Sequence, residues 1–431
     1  MSAKAATINL RNFSTPQMRA FHMSWFSFFL CFFGWFAFPA LAKVVIDDLG
    51  ITKAQFVTTS QWAVGSTIFV RLLIGWLCDR IGPRLAYTWL LSLGAIPVAL
   101  GAFVQTYEQL LFVRIFIGAI GASFVITQYH TTAMFAPNIV GTANATTAGW
   151  GNLGGGVTQK GMPFIMLGLA FFGDAAWRYA MIIPAMLMIV TAFAYSRLTQ
   201  DCPEGAFQDL PPESTKKSKQ IFFEVCKDYR VWSLFLIYGA CFGIELIVNS
   251  KLMLYFTSDF NMDIQTAGII AAIFGMMNLF ARTLGGFFGD LFGSTKGLKG
   301  RTQWLFFVLF IEGLALMVFS RMTHIWSLIP ALVIFSLFVQ MAEGATFSVV
   351  PFINKKALGP VAGIVGAGGN AGAVFGMFLF KIESVPWADA FMILGWIVCL
   401  FSFLALGVRF NKADEKEVLI ELQNISAANR A

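Results

Sequence analysis

Residues 71–84 read RLLIGWLCDRIGPR, running from Arg71 through Gly75 and Asp79 to Arg84 at the end of an apolar run. Residues 282–290 read RTLGGFFGD and repeat the frame, Arg282-x-x-x-Gly286-x-x-x-Asp290 beside Arg71-x-x-x-Gly75-x-x-x-Asp79. Further along each half of the chain a second motif follows in the same order. Gly151-Asn152-x-Gly154 recurs as Gly369-Asn370-x-Gly372. Two motifs repeated in one order predict a duplicated helical unit.

Composition says where those helices sit. Of 431 residues, 57% are hydrophobic and 12% charged, against about 25% charged in soluble domains. A chain this poor in charge cannot cover a water-facing surface, so most of its exterior must meet the lipid bilayer. The net charge of +7 comes from Lys and Arg scattered in short loops, which does not describe a nucleic-acid surface. Six cysteines (Cys31, Cys78, Cys202, Cys226, Cys241 and Cys399) show neither metal-ligand spacing nor a disulfide framework. The first twenty residues lack the short apolar core of a cleaved leader, so the first span is expected to stay as a helix.

With about 20 apolar residues per crossing, spans are predicted near 21–42, 57–78, 87–105, 109–131, 146–171 and 177–196. A second set follows near 231–256, 265–289, 302–320, 325–349, 359–380 and 386–408. The expected fold is an all-α membrane protein of about twelve transmembrane helices in two pseudo-symmetric six-helix halves. Its parts are an N-terminal half (1–196), a linker (197–230), a C-terminal half (231–409) and a tail (410–431). The linker carries Pro203, Pro211, Pro212 and a Lys216, Lys217, Lys219 cluster. Placing both termini in the cytosol gives the inner loops roughly twenty Lys and Arg and the outer loops roughly five. Arg80, Arg84, Lys296, Lys299, Arg301, Lys355 and Lys356 then lie inside, while Lys43, Lys53 and Arg321 lie outside.

Arg71 stands eight residues before Asp79, about 12 Å along a helix and near the midplane of a core about 30 Å thick. Arg282 stands in the same relation to Asp290. An arginine at that depth costs at least about 2.5 kcal/mol on insertion scales, and two facing one cavity repel. A shared anion relieves both costs, and the planar guanidinium suits an oxyanion through paired hydrogen bonds. The competing reading has each arginine capping helix carbonyls or pairing with an acid such as Glu245 or Glu343. The glycines Gly151, Gly154, Gly369 and Gly372 allow close helix approach and sliding. Asn152 and Asn370 either donate to a polar substrate or tie neighbouring backbones together.

The segment from Gly75 to Arg84 resembles the loop motif G-x-L-x-D-R-x-G-R-R of the major facilitator superfamily, lacking only the Arg at Pro83. The resemblance implies that Asp79, Arg80, Arg84 and Asp290 latch the cytosolic helix ends in one state of the cycle. The paired arginines with G-W-G-N-L-G-G-G and G-A-G-G-N-A-G-A further resemble the nitrate/nitrite porter family, closest to its nitrate-uptake branch. Phe242-Gly243-Ile-Glu245 and Glu343-Gly344-Ala-Thr-Phe347 agree with it. By that resemblance Arg71 and Arg282 clamp the substrate, the Gly-Asn helices move, and Tyr238 supplies an aromatic to the site. Lys160 departs from the family, where an apolar residue is expected; it either snorkels outward or adds charge to an outer vestibule.

The expected activity is import of nitrate, and of nitrite, through a plasma (inner) membrane by alternating access, as a monomer without cofactor or metal. No G-x-x-x-x-G-K-[ST] loop points to ATP, and no nucleophile motif or metal cluster points to an enzyme. An anion entering against an inside-negative potential costs about 2.3 kcal/mol per 100 mV. Symport with two protons makes entry electrically favourable, and exchange for nitrite makes it neutral. Glu245, Glu343 and Glu312 either carry protons or pair with Arg282, Lys251 or another buried cation. The alternatives are a nitrate/nitrite exchanger, a carrier for another small anion, and a non-transporting nitrate receptor.

Overall fold

The computed structural model describes residues 4–207, 219–262, 264–355, 357–382, 384–412 and 415–420. Pro211, Pro212, Lys216, Lys217 and Lys356 lie outside the described residues. Everything regular within them is helical: α1 (Pro16–Ala40), α2 (Ala42–Leu49), α3 (Lys53–Leu100), α4 (Tyr107–Ile117), α5 (Ser123–Met134), α6 (Val140–Gly168) and α7 (Ala176–Leu198). Then come α8 (Lys219–Lys227), α9 (Tyr229–Asp259), α10 (Ile264–Met276), α11 (Ala281–Ser320), α12 (Ile325–Val349), α13 (Leu358–Met377) and α14 (Trp387–Gly407).

Local chemistry sets several boundaries. Thr15 caps α1 by accepting from Met18 N, with Pro16 in the first turn. Thr52 and Gln55 form a capping box at the start of α3, with bonds of 3.1 and 2.8 Å. Within α3, Gly82 (φ 81°) leaves helical geometry and divides it into two rods; Gly297 (φ 64°) does the same in α11. Both need the left-handed backbone that glycine tolerates. Gly82 also makes room for Asp201, whose carboxylate accepts from Arg84 N (2.8 Å) and Phe207 N (2.9 Å).

Among the described residues nine helical stretches are long and apolar enough to cross a membrane, and two of them contain these turning glycines. α6 has the length, at 29 residues, but its glycines and polar groups lower its hydropathy. The surface is inverted relative to a water-soluble protein. Phe69 is 74% exposed and Trp326 87%, whereas Arg71, Glu343 and Asn370 are 0% exposed. Polar groups inside and large apolar ones outside are what a bilayer demands of an integral membrane protein.

Two spans expected to be continuous are interrupted. The span near 109–131 is α4 and α5 joined by a 3₁₀ segment, Gly118–Ala122. The span near 265–289 breaks at the 3₁₀ turn Met277–Leu279 and at Phe280, one residue before α11 begins. Asn278 and Phe280 are not strong helix breakers, so propensity gave no warning of that second break.

Helix packing is reciprocal about these elements. Gly151 and Gly154 on α6 press against α1 at Phe28 and Phe29, while Gly369 and Gly372 on α13 press against α9 at Phe242 and Gly239. Gly75 of α3 lies on Gly359 and Gly363 of α13; Gly286 of α11 lies on Gly141 and Ala145 of α6. Each arginine-bearing helix thus crosses onto the Gly-Asn helix of the other repeat.

Candidate functional site

Arg71 projects from the middle of α3 into an interior with no water-facing side. Its Nε donates to Gly121 O at 3.2 Å and its Nη1 to Gly366 O, while Nη2 has no partner. The Gly121 carbonyl belongs to the 3₁₀ interruption between α4 and α5. Polar side chains on the same face of α3 reach that neighbour too: Ser66 donates to Ile115 O (2.8 Å) and Thr67 to Gly118 O (2.7 Å). Among the described residues no carboxylate pairs with Arg71.

Arg282 sits in the first turn of α11, just beyond the helix break. Its Nη1 is ion-paired with Glu343 of α12, and its Nη2 donates to the Tyr238 hydroxyl at 2.7 Å. Glu245 lies 4.0 Å away, and Arg282 Nε is unpartnered. Glu245 is itself held by two amides, Asn152 Nδ2 at 3.1 Å and Asn278 Nδ2 at 2.6 Å. Asn152 therefore ties α6 to α9, and Trp150 Nε1 adds a bond to Leu279 O at 3.1 Å. Asn370, its counterpart, donates to Val64 O of α3 at 3.1 Å. Both asparagines keep a buried, unpartnered Oδ1.

The two guanidinium groups share one aromatic wall. Arg71 lies 5.1 Å from the ring centroids of both Phe124 and Phe242, and Arg282 lies 5.5 and 5.9 Å from the same two rings. Phe124, Tyr238 and Phe242 stack within 18° of parallel, and Phe347 closes the box edge-on. Ring faces carry negative quadrupole and partly offset the positive charge. Three cation-compensating devices thus surround two arginines: carbonyls, ring faces and one close carboxylate.

Residues 24–351 match the Major Facilitator Superfamily. The "High affinity nitrate transporter 2.5" of Arabidopsis thaliana is 38% identical to the chain, over 88% of this chain and 76% of that protein. The "Nitrate transporter 2.1" of Chlamydomonas reinhardtii is 37% identical, over 89% of this chain and 73% of its own. The "Nitrate/nitrite transporter NrtP" of a Picosynechococcus strain is 30% identical, over 83% and 84%. The chain belongs to the nitrate-transporter branch of the Major Facilitator Superfamily. A crystal structure of a human organic anion transporter shares its fold with a TM-score of 0.65 at 14% identity, covering 91% of this chain and all of the other.

In this superfamily member the loop-motif residues fall at the same end of the bundle as the glycine crossings. Asp290 accepts from Gly141 N (3.1 Å), Thr142 N (2.6 Å) and Thr142 Oγ1 (2.7 Å), so it caps the N-terminus of α6. Arg301 pairs with it at 2.5 Å and also donates to Ser348 O and Pro137 O. Asp79 lies against the N-terminus of α13 beside Gly359, with Tyr129 as a neighbour. Arg80 is exposed and stacks on Trp76 at 4.1 Å, and Arg84 engages Asp201 through its backbone N–H. Lys160 is exposed.

The reading of residue types did not find Phe124, Asn278 or the role of Arg301. Phe124 is one of 47 phenylalanines, and its only flag is the glycine pair Gly118 and Gly121 just ahead of it. Asn278 had a usable signal: an amide inside an apolar span wants a partner. Arg301 stood in the longer second copy of the loop motif, among several basic residues with nothing to distinguish it.

Proposed function

We propose that the chain carries nitrate, and nitrite, across the membrane by alternating access, with the anion held between Arg71 and Arg282. The observation that carries this reading is the shared wall of Phe124 and Phe242. Two guanidinium groups lie over the same two rings, and each has a buried N–H left unbonded. Among the described residues no acid pairs with Arg71, and the one close to Arg282, Glu343, is displaced by an incoming anion. A planar oxyanion accepts from both forks at once. The names of the relatives supply the identity of that anion.

Twelve crossings in two six-helix halves, residues 1–196 and 231–409, accommodate the turning glycines and α6. Basic loops favour cytosolic termini in a plasma or inner membrane, and nothing in the mechanism requires more than one copy or any enzymatic step. Asp290 of α11, set against α6, and Asp79 of α3, set against α13, hold the cytosolic ends of opposite halves together. Sliding of α6 on α1 and of α13 on α9, along Gly151, Gly154, Gly369 and Gly372, opens the other arrangement. Asn152 and Asn370, each bonded across a helix boundary, exchange those bonds for the substrate as the helices move.

Glu343 makes the carrier a proton symporter. Nitrate on Arg282 leaves the Glu343 carboxylate without its cation, at a depth where a lone charge is costly. Binding a proton removes that cost, and Glu245 is the second acid close enough to share the task. The decisive test is nitrate counterflow in proteoliposomes with and without a proton gradient, for the native chain and for Arg71→Lys and Arg282→Lys. Nitrate affinity unchanged in both variants removes the clamp. Uptake indifferent to the proton gradient removes symport and leaves nitrite exchange.

A further inference from the structure

Glu312 lies in α11, eight residues before its end at Ser320 and so about 12 Å along the helix from that membrane face. It is 0% exposed, and among the described residues neither carboxyl oxygen has a hydrogen-bond partner. No lysine or arginine among them pairs with it. Its neighbours along the helix are apolar: Val308, Leu309 and Leu316 are fully buried. Next to it, Gly313 lets α14 approach until a Cβ there would stand 2.8 Å from Cys399 N. A carboxyl placed so contributes no bond to the fold, and a leucine would pack better. An ionisable group inside a membrane with no structural task is a candidate for proton handling.

Among the described residues, the titratable groups near it are Cys241 from α9, Glu343 from α12 and Cys399 from α14. Glu343 is the acid that grips Arg282, and its Oε1 is unpartnered. Thr346, one turn on from Glu343, lies 4.0 Å from Cys241 Sγ, so a hydroxyl and a thiol stand in the same region as both acids.

We propose that Glu312 is the second proton-binding site of the transport cycle, so that one nitrate crosses with two protons, one on Glu343 and one on Glu312. This inference rests on the symport reading above. The charges balance without another ion. Nitrate replaces the Glu343 carboxylate on Arg282, Glu343 takes one proton, and Glu312 travels as the neutral acid. When the site opens to the cytosol, nitrate leaves, Glu343 returns its proton to water and re-pairs with Arg282, and Glu312 releases the second proton. One turn moves one net positive charge inward.

Glu312→Gln fixes the side chain in its neutral shape. In proteoliposomes it is expected to keep nitrate counterflow and uptake driven by a pH gradient. It is expected to lose uptake driven by an inside-negative potential alone, since one proton with one nitrate carries no charge. The proton-to-nitrate ratio falls from two to one. Glu312→Asp, still titratable, is expected to keep the response to potential. Potential-driven uptake in Glu312→Gln equal to that of the native chain overturns the inference. So does loss of counterflow, which would make Glu312 a binding or folding residue. A native chain driven by the pH gradient but not by potential defeats the second site while sparing symport. One indifferent to the pH gradient defeats symport itself.

Discussion

Glu343 occupies Arg282, while Arg71, over the same two aromatic rings, pairs with no acid among the described residues. The two arginines are matched in sequence frame but not in electrostatics. One is neutralised by a carboxylate that can be exchanged for another anion. The other is held, among the described residues, by carbonyl dipoles and ring faces.

That asymmetry fixes a pH dependence for substrate binding. Displacing the Glu343 carboxylate from Arg282 leaves it to take up a proton, so nitrate affinity should strengthen as pH falls. In Glu343→Gln the neutral amide does not compete for Arg282, and the dependence should flatten, with tighter binding at neutral pH than in the native chain. Equilibrium nitrate binding measured across pH checks both the slope and its loss.

The arginines should also differ in what they do for stability. Arg282→Ala strands Glu343 as a buried, unpaired acid, a loss of about 3–5 kcal/mol. Arg71→Ala strands no charge, because its carbonyl acceptors Gly121 and Gly366 belong to helices. Thermal unfolding in detergent should rank Arg282→Ala below Arg71→Ala. Adding Glu343→Ala to Arg282→Ala should recover much of the loss. Arg→Lys at either site keeps charge but loses the fork, and each charged hydrogen bond lost is about 1.5–3 kcal/mol of nitrate affinity, roughly ten- to hundredfold.

How these groups meet was only partly written in the sequence. The spacing from Arg71 to Asp79 and from Arg282 to Asp290 lies within single helices, and regular geometry converts it directly into depth. The competing expectations for the arginines, an acid partner or carbonyl caps, both occur, one on each residue. Which acid pairs with Arg282 could not be read, because Glu245 and Glu343 reach it from different helices and packing decides between them. Glu245 stands farther off because Asn152 and Asn278 hold it. The second of those amides sits at a helix break that no glycine or proline marks. Phe124 is similarly hidden, since its position over Arg71 depends on the 3₁₀ turn at Gly118–Ala122.

Asp290 gathers three donors from the N-terminus of α6 and one N–H of Arg301, so it should govern closure of that end of the bundle, cytosolic in the proposed orientation. Asp290→Asn replaces an anion with an amide that cannot accept from all of them. The expected result is a population shift towards the cytosol-open form. A cysteine placed at Ala145, packed under Gly286 in the closed arrangement, should then be alkylated faster from the cytosolic side than in the native background. An unchanged alkylation rate would remove Asp290 from the closure.

The helix crossings give the sharpest steric prediction. A Cβ on Gly75 would stand 2.5 Å from Gly359 O and 3.2 Å from Gly363 Cα, both backbone atoms of α13 that cannot swing aside. Gly286 meets the backbone of Gly141 and the Cβ of Ala145 in the same way. Alanine at either position must push α3 from α13, or α11 from α6, at the end where Asp79 and Asp290 act. Gly65 lies on the same helix as Gly75, yet a Cβ there meets nothing within 4 Å. Gly75→Ala and Gly286→Ala should therefore lower nitrate uptake roughly five- to 150-fold, as expected of overpacking that costs about 1–3 kcal/mol in the closed form. Gly65→Ala should transport normally, and the extra methyl should slightly favour helix. Equal uptake by Gly65→Ala and Gly75→Ala would show that close contact between α3 and α13 is not needed for the cycle.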